Sequence, residues 1–312
     1  MPEFRVRSVL ASASLAAVAA VILGSGVIAT SADARQASAG TSTPPAITSI
    51  WAWGNPIDPS VDARGLGEAD FEPAALVAFA QAHNLHSVYL SVPWAANQGE
   101  FATWLPAAVN ALHAAGISVS ALGGDASWAS QPGLAAQWVS DALSTASFDA
   151  VQFDVEPWAG VADPDIGTIV SQYTAMLQAA HQAANGVPIG ADLPWWLAAK
   201  QVGTSTAFAA ILPHLQSVAI VAFSDHAAGS DGIIALAQPA AKAAAAARVP
   251  FTIGVETDTP EVAGGAQYTF GDDSELALET ETATVRTHFA STRGYRGITV
   301  EHLLSWKVLL GG

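Results

Sequence analysis

The sequence contains no cysteine, which excludes both disulfides and a lipoprotein-type anchor. Charge is scarce, since only 12% of residues are Asp, Glu, Lys or Arg, and positive charge is scarcest. Eleven Lys and Arg face 27 Asp and Glu, giving a formal net charge of −16. That balance argues against nucleic acid and anionic membranes as partners and suits a neutral polymer such as a polysaccharide. No His-x-His stands on the first apolar run and histidines do not cluster, so a zinc hydrolase is not expected. The Gly-x-Gly-x-x-Gly fingerprint of dinucleotide-binding folds is also missing after that run. Neither a metal nor a cofactor is expected.

What is present begins with an export signal. Arg5 and Arg7 precede an apolar stretch over 9–29, and Ser31-Ala32-Asp33-Ala34 supplies a small-x-small cleavage site. Residues 1–34 therefore read as a secretory signal peptide and 35–45, rich in Ala, Ser, Gly, Thr and Pro, as a flexible leader. The expectation is a secreted monomer with no membrane association after cleavage. Residues 46–312 match the size of a single barrel domain, about 250 residues.

Within that domain short β-rich apolar runs alternate with helical patterns. The runs fall at 47–53, 87–94, 117–123, 150–156, 188–193, 217–223, 251–256 and 297–302. Helical periodicity covers 73–83, 105–115, 134–144, 166–184, 206–215, 233–248 and 276–291, with a stub at 306–310. In 166–184, Ile166, Ile169, Val170, Tyr173, Met176, Leu177 and Ala180 keep the three-four spacing, between Asp165 in front and Asn185-Gly186 behind. Alternating strands and helices imply parallel pairing through right-handed crossovers. The fold class predicted is α/β, a single (β/α)8 TIM barrel with a reduced last helix.

Barrel enzymes carry their chemistry at the C-terminal strand ends. The first two strands end in Trp51, Trp53 and Trp94, and the third in Asp125 and Trp128. The fourth ends in Gln152, Asp154, Glu156 and Trp158, the fifth in Asp192, Trp195 and Trp196. The sixth ends in Asp225 and His226, the seventh in Glu256 and Asp258, the eighth in Glu301, His302 and Trp306. Aromatic faces with carboxylates between them are what sugar rings require, so this end reads as a carbohydrate cleft. In strand four Val151, Phe153 and Val155 point one way and Gln152, Asp154 and Glu156 the other, toward the cavity. Two carboxyls so close cannot both ionise easily, and the expectation is that Glu156 holds the proton while Asp154 stays charged. The segment 264–273 reads as a mobile flap without calcium-loop spacing.

Asp149-Ala-Val-Gln152-Phe-Asp154-Val-Glu156 resembles the Asp-x-x-Asp-x-Asp-x-Glu signature of chitinase-like enzymes, glycoside hydrolase family 18, with Gln152 replacing the second Asp. Leu122-Gly123-Gly124 is similar to that family's Ser-x-Gly-Gly, and Trp306 stands near the place of its strand-eight Trp. The resemblance implies Glu156 as general acid and Asp154 as the residue orienting an attacking acetamido group. Ala222-Phe223-Ser224-Asp225 lacks the family's Tyr-Asp pair. Glu156-Pro157 also resembles the Asn-Glu-Pro of retaining barrel glycosidases, with Val155 in the place of Asn. That likeness implies Glu156 as acid/base and Glu256 as nucleophile, with carboxyls about 5–5.5 Å apart. The strand-six to strand-eight motifs further resemble secreted bacterial barrels of unassigned activity. The expected function is a secreted glycoside hydrolase using Glu156, Asp154 and Glu256. Its substrate contacts are expected from Trp53, Trp94, Asp125, Trp128, Gln152, Trp158, Asp192, Trp195, Asp225, Glu301, His302 and Trp306. The alternative is an exported glycan-binding barrel without catalysis.

Overall fold

The computed structural model describes residues 46–159, 161 and 165–311; the signal-peptide and leader assignments lie outside them. Eight parallel strands close into a barrel: β1 Ile47–Ala52, β2 Ser87–Ser91, β3 Ser118–Gly123, β4 Ala150–Phe153, β5 Ile189–Pro194, β6 Ser217–Val221, β7 Phe251–Glu256 and β8 Tyr295–Glu301. Each strand pairs with its neighbours in sequence, and β8 closes on β1 through Ile50↔Val300 and Trp51↔Glu301. The (β/α)8 fold class is therefore as read from the alternation.

The surrounding helices are α1 Pro73–Ala82, α2 Phe101–Ala114, α3 Pro132–Thr145, α4 Ile166–Ala184, α5 Ala207–Ile211, α6 Ile233–Ala247, α7 Glu275–Phe289 and α8 Leu303–Leu309. Helix α4 shows how the sequence specifies them. Asp165 accepts from the Thr168 amide at 3.2 Å, Asn185 ends the helix at φ 47°, and the stripe from Ile169 to Ala184 is buried. Helix α2 starts a turn earlier than its periodicity suggests, because Pro106 lies inside it rather than at its first position. Helix α5 is shorter than expected. Thr206 closes a two-residue hairpin with Gln201–Val202 and caps the helix, and Pro213 turns the end into a 3-10 turn. Among the described residues no helix is long and apolar enough to cross a membrane.

The segment 264–273 is not a free flap. Phe270 and Thr269 are fully buried, the Phe270 amide donates to the Glu256 carbonyl at 2.9 Å, and Thr269 Oγ1 donates to the Asp258 carbonyl at 2.5 Å. One large aromatic inside a Gly-rich stretch is enough to staple it to the end of β7.

Candidate active site

The barrel interior is filled by Trp51, packed with Leu122, Ala219, Trp53 and Tyr89. The room for Trp51 comes from Gly254 on β7, where a Cβ would lie 2.7 Å from the indole Cη2. The indole Nε1 donates to Asp192 Oδ2 at 3.0 Å, and Gln152 Nε2 donates to Asp192 Oδ1 at 2.7 Å. Asp192 is thus a buried carboxyl held by two neutral donors. Burial pushes it up to about 8, with Glu156 adding to the rise and the bonds from Gln152 and Trp51 opposing it. Below lies a layer of hydroxyls: Ser49 meets Thr299 at 2.6 Å, and Thr299 donates to Thr252 at 2.8 Å. Burial and Asp192 push the Tyr89 hydroxyl above that layer up to about 12.

This arrangement fixes a pH dependence of stability. The unfolded Asp192 titrates at about 3.9, so between there and about 8 the folded state keeps a proton that the unfolded chain releases. The stabilisation is complete below the unfolded value and is lost as pH rises through the folded one. The melting temperature is expected to fall from about pH 5 to about pH 9, and less steeply in Asp192→Asn. Parallel curves for the two proteins would contradict the assignment.

Above Trp51 the strand ends carry the acids. Asp154 and Glu156 follow directly on β4, both half-buried, while Val151, Phe153 and Val155 are fully buried on the opposite side, as the alternation implies. Gly124, at the end of β3, lies against this segment: a Cβ there would sit 1.7 Å from the Asp154 carbonyl oxygen. Burial raises the Asp154 carboxyl well above its usual range, and the charges of Glu156 and Asp192 raise it further. The expectation that Asp154 stays ionised beside a protonated Glu156 is therefore corrected. Enclosure and the neighbouring acids disfavour charge on Asp154.

Glu256 and Glu301 stand side by side in the β7–β8 register. Burial raises Glu301 well above the carboxylate range, and Glu256, Asp154, Asp192 and Asp258 add to it. Glu256 has a structural function that its place in the sequence does not reveal. Its Oε1 accepts from the amides of Thr257 and Asp258, both at 2.8 Å, turning the chain at the strand end. His302, a substrate contact by expectation, caps α8: its Nδ1 accepts from the Leu304 amide at 3.3 Å, and its Nε2 lies 3.4 Å from Asp258 Oδ1.

The aromatic residues divide into two groups. Trp94 is 43% exposed, and Trp53 and Trp195 are half-buried. Arg64 holds the Trp94 loop, donating to the carbonyls of Trp94 at 2.7 Å, Ala95 at 2.6 Å and Gln98 at 2.9 Å while stacked 4.7 Å from the Phe101 ring centroid. Trp128, Trp158 and Trp306 are buried in the apolar core. Trp128 packs on Trp138 and Phe153, Trp158 on Tyr173 and Trp196, and Trp306 on Phe79 and His83. Asp125 is exposed and caps a 3-10 turn, accepting from Ser127 N at 2.8 Å. Asp225 pairs with His226, whose far side lies 3.3 Å from Asp231.

Trp94→Ala is accordingly expected to leave the melting temperature nearly unchanged. Trp128→Ala is expected to cost about 3–5 kcal/mol. Thermal and urea unfolding of the two variants check this contrast. Equal losses would mean that Trp94 also belongs to the core. Tyr89 completes the interior without having been singled out, and Trp51, read from the sequence as part of the mouth, is 1% exposed and fills the barrel instead. The signal was their place opposite each other in the β1–β2 register, with Trp51 also opposite Glu301 on β8.

Among the described residues no group of three His, Cys, Asp or Glu is placed to hold a metal ion. No protein-family model and no curated protein matches this sequence. The structure is similar to a GH18 chitinase of Pseudoalteromonas aurantia, at 12% identity over 83% of this chain and 94% of that one, with a TM-score of 0.52. It is likewise similar to the PgaB (BpsB) glycoside hydrolase domain of Bordetella bronchiseptica, at 12% identity over 81% and 94%, with a TM-score of 0.51. At such identities the likeness is one of fold, and this chain has the closed (β/α)8 barrel of these glycosidase domains.

Proposed function

We propose that this protein is a glycoside hydrolase, exported with a signal peptide over residues 1–34 removed and acting as a monomer on a poly- or oligosaccharide. The observation that carries the reading is the gathering of Asp154, Glu156, Asp192, Glu256 and Glu301 at the strand ends, where burial and neighbouring acids raise the cost of ionising Asp154, Asp192 and Glu301. Glycosidic cleavage needs a proton for the leaving oxygen and a carboxylate for the developing oxocarbenium ion. Glu156, half-buried beside Asp154, is the general acid/base that delivers the proton. Glu256 is the nucleophile, its carboxylate oriented by the Thr257 and Asp258 amides. In the alternative route an acetamido group of the substrate attacks and Asp154 assists it.

Trp53, Trp94 and Trp195 offer partly open aromatic faces for sugar rings, while Gln152 and Asp192, bonded to each other, are buried inside the barrel. The test is release of reducing ends from a panel of polysaccharides and aryl glycosides. Binding to a glycan without turnover on any member would support a non-catalytic glycan-binding barrel instead.

A further inference from the structure

We propose that Arg64 is a positioning residue: it rivets the β1–α1 loop to the β2–α2 loop and so presets Trp94 as a sugar-stacking platform on the rim of the barrel. This rests on the glycosidase reading above for the place of the glycan, and adds a residue on which its grip depends. Trp94 is 43% exposed, so its place is set largely by the backbone on either side. Ala95 turns the chain at φ 54°, a conformation that costs energy in a residue with a Cβ. Arg64 Nη1 donates to both carbonyls of that turn, Trp94 at 2.7 Å and Ala95 at 2.6 Å, and Nη2 donates to the Gln98 carbonyl at 2.9 Å.

The same arginine is tied to its own loop. Its Nε donates to Asp62 Oδ1 at 2.9 Å and its Nη2 to Asp62 Oδ2 at 2.5 Å, while the guanidinium lies 4.7 Å from the ring centroid of the buried Phe101. Asn55, two residues beyond Trp53, donates its Nδ2 to the Arg64 carbonyl at 3.2 Å, which joins the end of β1 to the rivet. Gly99 closes the seam. It sits at φ 62°, and a Cβ there would lie 2.5 Å from Asp62 Oδ2 and 3.1 Å from Arg64 Nη2. The five side-chain bonds match the five N–H donors of a guanidinium, arranged in a fixed fork. A lysine offers three donors on a single atom, too few and too close together for these contacts. A turn ordered before the sugar arrives loses less freedom on binding, so the rivet acts on affinity and not on the chemical step.

Affinity electrophoresis of the full chain in gels loaded with glycol chitin, xylan, laminarin or carboxymethylcellulose tests this, with each variant shown folded by circular dichroism. On the polymer that retards the wild type most, Trp94→Ala and Arg64→Ala are each expected to weaken binding about three- to tenfold. The double variant should lose no more than Trp94→Ala alone, because Arg64 acts through that ring. Arg64→Lys keeps the charge and not the fork, and should lose affinity as well; it decides the matter if Arg64→Ala does not fold. Hydrogen exchange read by mass spectrometry should quicken over 94–99 in both Arg64 variants and stay unchanged in the barrel strands. If the polymer is also hydrolysed, KM should rise several-fold in the Arg64 variants while kcat changes less than about twofold. Full affinity in Arg64→Lys, additive losses in the double variant, unchanged exchange over 94–99, a fall in kcat at constant KM, or no retardation of the wild type by any of these polymers would each overturn the inference. Turnover of aryl glycosides by the wild type separates the two claims. Turnover without retardation removes the platform and keeps the glycosidase. Retardation that the Arg64 variants lose, with no turnover of any substrate, does the reverse.

Discussion

Glu156→Gln is expected to abolish hydrolysis while leaving folding and glycan binding nearly intact. The side chain is half-buried at the open end of the barrel, so the amide fits without a new cavity or an enclosed charge. What is lost is the transferable proton, and general-acid assistance is typically a factor of about 100–10,000 in rate. A second readout belongs to the same variant. Glu156 contributes to the raised titration of Asp154, so removing its charge should lower the Asp154 midpoint, visible by carboxyl NMR. More than about a tenth of the wild-type rate on an unactivated substrate would remove Glu156 from the acid role.

Glu256→Ala is expected to be as inactive as the Glu156 variant and also less stable. The two amides that Glu256 accepts, from Thr257 and Asp258, lose their partner at a buried strand end, at a cost of about 1–3 kcal/mol. Glu256→Gln keeps an acceptor oxygen and should recover most of that stability without recovering activity. If Glu256 is the nucleophile, azide added to Glu256→Ala should restore a product of inverted configuration. Near-normal turnover of Glu256→Ala beside an inactive Asp154→Asn would assign attack to the substrate's own acetamido group.

The sequence carried the barrel because each strand–helix unit states its own period and its own stops. Asp165 and Asn185 around α4 are the clearest case. Asp154 and Glu156 were legible for a related reason: alternation along β4 leaves acids on one side and Val151, Phe153 and Val155 on the other. The tryptophans were less legible. A residue two to five positions beyond a strand lies where the chain turns, and the turn decides between mouth and core. Trp128 ends a 3-10 turn capped by Asp125, and Trp306 lies on the inner face of α8, so both rotate into the layer between strands and helices. Glu256 and His302 each carry a structural role beside the one read from the sequence. Both make local backbone hydrogen bonds that no spacing pattern announces.

The central claim is that the acids of the barrel mouth add water across a glycosidic bond. Incubating the wild-type protein and Glu156→Gln with a bound glycan in 18O-labelled water, followed by mass spectrometry of the products, tests it most directly. The account predicts one labelled oxygen at each newly formed reducing end with the wild type and almost none with the variant. Stable binding of the glycan with no new labelled ends from the wild-type protein, on any glycan it binds, would contradict it.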